Sequence, residues 1–343
     1  MVRTKIEGRV GATGQQETQM TVRWGMIGCG AVTEVKSGPA YYRVARSRLV
    51  GVSCRRAEAA FDYAKRHKIE RVFLNSDELI SSEYIDAVYI ATPPSSHVAL
   101  ALRVAKAGKP CCVEKPIAPS HADAAVMIRA FEKVGKPLFV AYYRRSLPRF
   151  RRVKEWLEAG LIGDVRHVHW GLTRPPTEAD LSGLSGWRTD PAEAPGGYFD
   201  DLACHGLDLF DYLVGPIAHA VGSCSVQQQL YQAPDAVSAS WAHVCGATGS
   251  GFWNFAAGSR SDEVKIVGSM GYVTFSVFED EPLKLVTETD TTVVEIANPE
   301  NIQAPHVENI IRHLEEGLSH PSTGESAART AWVSERILLT ADI

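Results

Sequence analysis

Two stretches of this chain place reactive side chains where a fold can use them. Glu114-Lys115-Pro116 follows the apolar run Cys111-Cys112-Val113, so a buried strand ends on a charged pair. An ammonium there can hydrogen-bond a substrate oxygen and stabilise developing negative charge. The plainer alternative is a lysine paired with Glu114 beside a loop that Pro116 stiffens, with a candidate cis bond. Further along, Asp201, His205 and Asp208 fall at i, i+4 and i+7, which puts them on one face of a helix that otherwise carries Leu202, Leu207, Leu209, Phe210 and Leu213. Such a stripe is either a solvated face or a site. Gly196-Gly197 just upstream would permit close approach of a ligand, and an imidazole titrating near neutrality makes His205 the natural acid/base.

A second group of residues suits an anionic cofactor. Gly28-Cys29-Gly30-Ala31-Val32-Thr33 follows an apolar run and opens a helical pattern, the context that a dinucleotide-binding turn requires. Gly28 permits the tight turn and Gly30 lets a pyrophosphate reach the backbone at a helix start, where Ala31 and Val32 follow. Thr33 departs from the usual third small residue and is expected to loosen helix-to-strand packing. At the end of the second strand stands Ser53-Cys54-Arg55-Arg56, with no carboxylate for ribose hydroxyls. The pair Arg55 and Arg56 suits a phosphate on the adenosine ribose, which favours NADP and leaves NAD open. Thr92, Pro93 and Pro94 end another strand beside the expected cofactor, and His97 reads as a helix-start residue rather than a catalyst.

Arg145 ends the sixth strand, in Tyr142-Tyr143-Arg144-Arg145, and could grip substrate oxygens, whereas the later basic residues Arg149, Arg151, Arg152 and Lys154 read as a solvated helix face. Trp187-Arg188 precedes the glycines and is either a pocket wall or, for Trp187, part of a core.

These residues need elements to hold them. From about 20 to 142, short apolar runs alternate with helical patterns: strands near 22–27, 49–53, 72–73, 87–91, 111–113 and 138–141, with a helix running to about Ala45 after the first and others near Phe61, before Ala107 and around 126–131. That alternation predicts a doubly wound parallel sheet of Rossmann type with ligands at the carboxyl ends of its strands. From 143 to 343 a helix, an irregular stretch rich in Pro and Gly, a second helix and a series of strand-like runs predict a mostly antiparallel open sheet, closed by helices over about 305–318 and 324–339. The chain thus reads as α/β followed by α+β. Residues 1–19 show no periodicity and read as a mobile extension, in which Ile6-Glu7-Gly8-Arg9 spells a protease-cleavage site of the kind used to release fusion tags.

Composition removes several classes. A length of 343 residues fits two domains, and 45% hydrophobic with 22% charged residues is ordinary globular usage. A formal charge of −4 argues against nucleic acid, and no apolar run approaches a bilayer span or a signal peptide, so a cytoplasmic protein without membrane contact is expected. Seven cysteines lack zinc spacing; they are expected to be reduced, buried small hydrophobes, with no metal site.

Taken together, the glycine turn, the Ala91-Thr92-Pro93 strand end, Glu114-Lys115-Pro116, and Gly196-Gly197 followed by Asp201, His205 and Asp208 resemble the glucose-fructose oxidoreductase/inositol dehydrogenase (Gfo/Idh/MocA) family over about residues 21–343. The resemblance implies a nicotinamide-dependent dehydrogenase or reductase acting on a sugar, cyclitol or related polyol. It implies that His205 is the acid/base, that Lys115 holds the substrate oxygen, and that Asp201 orients His205 or a substrate hydroxyl. Glu114 would lie with the cofactor, and Arg145, Trp187, Arg188 and Asp208 with the substrate. Relatives self-associate through the outer face of the open sheet, which implies a homodimer or homotetramer. Two other readings stand beside this one: a glycoside hydrolase that retains its nicotinamide, and a nucleotide-sensing binding protein.

Overall fold

The computed structural model describes residues 21–184 and 186–340; the expected extension over 1–19 lies outside the described residues. The first domain runs β1 (Val22–Ile27), α1 (Ala31–Val35), α2 (Gly38–Arg43), β2 (Ser47–Ser53), α3 (Ala57–His67), β3 (Arg71–Phe73), α4 (Ser76–Ser81), β4 (Ala87–Ile90), α5 (His97–Lys106), β5 (Cys111–Val113), α6 (His121–Val134) and β6 (Leu138–Val140). The strands form a six-stranded parallel sheet in the order β3-β2-β1-β4-β5-β6. Every residue of β4, β5 and β6 is buried, as expected of strands with helices on both faces.

The single helix expected up to Ala45 is two short ones. Pro39 sits in the first turn of α2, where its missing N–H costs nothing, and it prevents α1 from continuing. Nor does Thr33 loosen the packing. It is fully buried, its hydroxyl donates to the Gly30 carbonyl at 2.8 Å, and the Tyr63 hydroxyl donates to its own carbonyl at 2.8 Å. Helix α4 had no counterpart in the sequence pattern; Asn75 caps it by accepting from the Glu78 N–H at 2.9 Å.

The second domain contains α7 (Pro148–Glu158), β7 (Val165–Thr173), α8 (Glu178–Leu181), α9 (Tyr198–Val214), β8 (Ile217–Ser225), β9 (Ala236–His243), β10 (Thr248–Asn254), β11 (Ser261–Gly268), β12 (Gly271–Phe275), β13 (Leu283–Thr287), β14 (Thr291–Val294), α10 (Ala304–Glu316) and α11 (Gly324–Leu339). Its eight-stranded sheet has the order β14-β13-β12-β11-β7-β10-β9-β8 and is antiparallel except where β10 runs parallel to β7. One sheet face packs Val168, Trp170, Leu172 and Trp253 against Phe199, Ala203, Leu207 and Phe210 of α9.

After the second sheet the chain returns to the first domain. Val307, Ile310 and Ile311 of α10 are buried with Trp24, Tyr41, Tyr89 and Phe139 of the first domain, and Ala327 and Ala328 of α11 with Leu138 and Val140. Val333 and Ile337, farther along α11, belong to the second core. The last two helices therefore clamp the domains together.

Candidate active site

The carboxyl ends of the parallel strands open onto a cleft of about 1480 Å³ between the two domains. Gly28, with φ +107°, turns the chain out of β1; a Cβ there would lie 2.5 Å from the Ala91 carbonyl oxygen, so only glycine fits. A Cβ on Gly30 would meet nothing within 4 Å, so the backbone faces open cleft, as a pyrophosphate-binding turn requires. Arg55 and Arg56 are exposed on the cleft wall and form no ion pair among the described residues. Thr92 and Pro93 line the same cleft. Trp187, Thr189 and Tyr231 close it from the second domain. These features accommodate a dinucleotide.

Four residues expected at the cofactor are set back from this wall. Ala31 and Val32 begin α1 behind the glycine turn, and Pro94 is buried. Glu114 is 6% exposed and turns inward: it accepts from the Tyr89 hydroxyl at 2.7 Å and from Gln303 Nε2 at 3.2 Å. It therefore joins β5 to the segment before α10; its other oxygen accepts from the Lys115 backbone N–H at 3.2 Å, while the Lys115 ammonium goes elsewhere. Expectation missed Asn75, Ser76 and Arg103 on the wall; Arg103 already pairs with Asp77 at 3.0 Å.

Lys115 reaches across to the second domain. Its Nζ donates to Asp201 Oδ1 at 2.6 Å and to the Asp201 carbonyl at 2.8 Å. The other carboxylate oxygen accepts from Arg188 Nε at 2.7 Å. Burial works against the ammonium, but Asp201 outweighs it and raises the Lys115 pKa. Burial likewise opposes the Asp201 charge, and Lys115 with Arg188 overcomes it, holding the carboxyl at about 2. Asp201 thus spends both oxygens on cations and does not orient His205 through a hydrogen bond. The peptide between Lys115 and Pro116 is cis. His97 is fully buried, its ring nitrogens 3.0 Å from the Pro116 carbonyl oxygen and 2.9 Å from that of Thr92, so it fastens the lysine loop to the cofactor loop.

One helical turn after Asp201, His205 is 6% exposed among Tyr142, Tyr143 and Phe278, whose ring centroids lie 6.2, 5.8 and 5.8 Å from its own. Neither ring nitrogen has a hydrogen bond among the described residues, and Nδ1 is buried without a partner. Burial first, then the charges of Arg144, Lys115 and Lys36, depress its pKa well below the usual imidazole value. The imidazole is therefore a neutral, unengaged base at pH 7.

Arg145 and Asp208 are engaged with each other instead of facing the cleft. Arg145 is 4% exposed; it donates to Asp208 at 2.7 and 2.8 Å and to Asp211 at 3.0 Å, and Arg329 pairs with Asp211 from α11. This is a buried ionic tie between the segment after β6, α9 and α11, and neither Arg145 nor Asp208 lines the cleft. The glycines before α9 likewise serve packing. Gly197 has φ +62° and a Cβ there would press on Ala233 and the Pro234 carbonyl, both at 3.0 Å. The cysteines are not all buried: Cys29, Cys54 and Cys224 are half-buried and Cys245 is exposed, and no disulfide joins any of them among the described residues.

Comparison with known proteins identifies the family. Residues 22–142 match the family model described as oxidoreductase family, NAD-binding Rossmann fold, and residues 150–274 match the Gfo/Idh/MocA C-terminal domain. An oxidoreductase P35 of Formosa agariphila is 35% identical over 320 residues, covering 92% of this chain and 97% of that protein. The chain belongs to the Gfo/Idh/MocA oxidoreductase family. Among other members, a myo-inositol 2-dehydrogenase of Thermotoga maritima is 28% identical over 217 residues, 62% of each chain. The structure of a levoglucosan dehydrogenase in complex with NADH superposes with a TM-score of 0.84 at 21% identity, over 93% of this chain and 96% of that one, which shows the shared fold. As a member of this family, the chain is a nicotinamide-dependent oxidoreductase. Among its described residues no helix is long and apolar enough to cross a membrane, and no cluster of metal-ligating side chains occurs.

Proposed function

We propose that this Gfo/Idh/MocA enzyme moves a hydride between NADP and a hydroxyl or carbonyl carbon of a sugar, cyclitol or related polyol. The observation that carries the reading is the convergence of a charged Lys115 from the first domain, held by Asp201, with a neutral His205 one turn further along the same helix of the second, close enough for the ammonium to act on the imidazole. Gly28, Gly30, Thr92 and Pro93 would hold the dinucleotide, and the exposed Arg55 and Arg56 would take the phosphate of its adenosine ribose. The bound nicotinamide supplies the hydride acceptor or donor.

The residues of the chain do the rest. His205 accepts the hydroxyl proton on its free imidazole during oxidation and returns it during reduction. Lys115 spends two of its three N–H donors on Asp201 and keeps the third for the substrate oxygen as negative charge develops there. Asp201 and Arg188 position that ammonium, and Trp187 offers an aromatic wall to a sugar ring.

The test is a panel of polyols and sugars scored by nicotinamide absorbance with NAD and NADP side by side. Reduction of NADP by at least one polyol supports the reading; glycoside cleavage without net absorbance change would replace it by that of a nicotinamide-retaining hydrolase. The uncovered face of the eight-stranded sheet carries the exposed Val221 and Phe252, and self-association there would bury them. Light scattering should then give a dimer or tetramer that Phe252→Glu converts to a smaller species; a monomeric wild type would refute this arrangement.

A further inference from the structure

A second cavity, of about 390 Å³, lies where the two domains meet beside His205, within the range of pockets that hold small molecules (about 300–1,000 Å³). The rings of Tyr143 and Phe278 that flank the imidazole also line this cavity, so it adjoins the acid/base. Its walls carry Lys36, Arg144, Arg149 and Arg260 against one carboxylate, Glu300. Glu300 pairs outward with Arg43 at 3.0 Å, and Arg260 is engaged by Glu279. Arg149 donates to the Glu279 and Glu281 carbonyls and lies 3.3 Å from Asp280, with only Nε bare.

Arg144 differs from the other two arginines. It is 6% exposed, spends Nε on the Val277 carbonyl at 3.0 Å, and rests 4.5 Å from the Phe278 ring centroid. Its Nη1 is buried without any partner, and no carboxylate pairs with it among the described residues. Lys36, exposed at the rim and contributed by the first domain, is equally without an ion pair. A buried guanidinium with a bare donor is costly in a folded protein unless something negative comes to it. A cation held that way at the wall of a cavity next to the acid/base is a place for an anion, and no such group is needed by a neutral polyol.

We propose that the substrate carries an anionic group, a carboxylate or a sulfate or phosphate ester, which Arg144 Nη1 and Lys36 bind in this cavity while a hydroxyl of the same molecule reacts at His205 and Lys115. The proposal rests on the oxidoreductase reading above and narrows its substrate class.

The experiment has two arms. Crystals of the nicotinamide-bound protein soaked in selenate should show an anomalous selenium peak beside Arg144 and Lys36, absent in Arg144→Gln. In turnover, uronates, sugar phosphates and sugar sulfates are compared with the parent neutral sugars. The best charged substrate should exceed its neutral parent by about tenfold or more in kcat/KM, and the class that does so identifies the anion. Lys36→Gln, an exposed position that cannot be confused with a folding defect, should lower that charged-to-neutral ratio. No selenium peak in the cavity overturns the proposal whatever the turnover panel gives. A peak without any preference for charged substrates means an adventitious ion only, and overturns it too. A peak in a protein that oxidises nothing in the panel leaves the anion site standing and counts against the oxidoreductase reading.

Discussion

Lys115 Nζ lies 2.6 Å from Asp201 Oδ1, so the loop at the end of a strand in the first domain is tied to the first turn of a helix in the second. The same helix carries His205 one turn on, which sets the distance between the proposed acid/base and the proposed oxyanion donor by covalent geometry as much as by packing. Lys115→Ala and His205→Ala should each reduce turnover by about two orders of magnitude or more while leaving the dissociation constant for the nicotinamide cofactor nearly unchanged. Fluorescence titration of cofactor and steady-state rates on the same preparations separate the two quantities. Wild-type turnover in either variant removes that residue from the mechanism.

The pH dependence follows from the His205 environment. Oxidation needs the imidazole neutral. Because burial and then Arg144, Lys115 and Lys36 push its pKa well below 6.5, kcat/KM for alcohol oxidation should be level through neutrality and fall only as the pH drops well below 6.5. Lys36→Gln removes one of the depressing charges, so the midpoint of the acid limb should move up, while burial, the first cause, keeps it under the ordinary imidazole value. An NMR titration of the His205 ring follows the same group without turnover. A midpoint near or above 6.5 in the wild type would contradict the assignment.

In the NADP reading proposed above, cofactor choice turns on the end of β2. Arg55 and Arg56 are exposed on the cleft and form no ion pair among the described residues, with Ser53 and Cys54 before them and no carboxylate in that stretch for ribose hydroxyls. Replacing both by Ala should weaken NADP by about tenfold to a hundredfold and leave NAD within about twofold, since only the phosphate loses its charged partners. Calorimetric titration with each dinucleotide reads the ratio. An equal loss for both cofactors would mean that the arginines hold the fold or the pyrophosphate instead.

What could be read from sequence divides along physical lines. The parallel sheet was legible because a fully buried strand such as Ala87–Ile90 must be apolar throughout, and Lys115 because a charged pair closing such a run is costly without a purpose. The stripe Asp201, His205, Asp208 lies on one helix, yet its members divide: Asp201 meets Lys115 and Arg188, the His205 ring is left without a hydrogen bond among the described residues, and Asp208 meets Arg145 inside the protein. Periodicity reports a face and says nothing of what lies opposite, and here the partner sits 63 residues away. Arg144 was passed over for the same reason. In a run of basic residues, only tertiary packing decides which guanidinium is paired and which is left bare. The return of α10 to the first domain had no local signature at all, since its apolar stripe would cover either sheet equally well.

The fate of Arg145 gives a stability prediction opposite to a substrate role. Arg145 is the shared cation of two buried carboxylates, Asp208 and Asp211, with Thr330 and Arg329 supplying the remaining donors from α11. Arg145→Ala leaves Asp208 fully buried without its cation and should cost about 3–5 kcal/mol, because breaking one side of a buried pair strands the other charge. Asp208→Asn in the same background keeps the oxygen that accepts from Thr330 and removes the stranded charge, so the double variant should recover much of the loss. Denaturant unfolding of the single and double variants measures both effects, and KM on the folded fraction provides the control. If Arg145→Ala were instead as stable as the wild type and raised KM, its guanidinium would be free to meet substrate, and the buried tie between α9 and α11 would have to be abandoned.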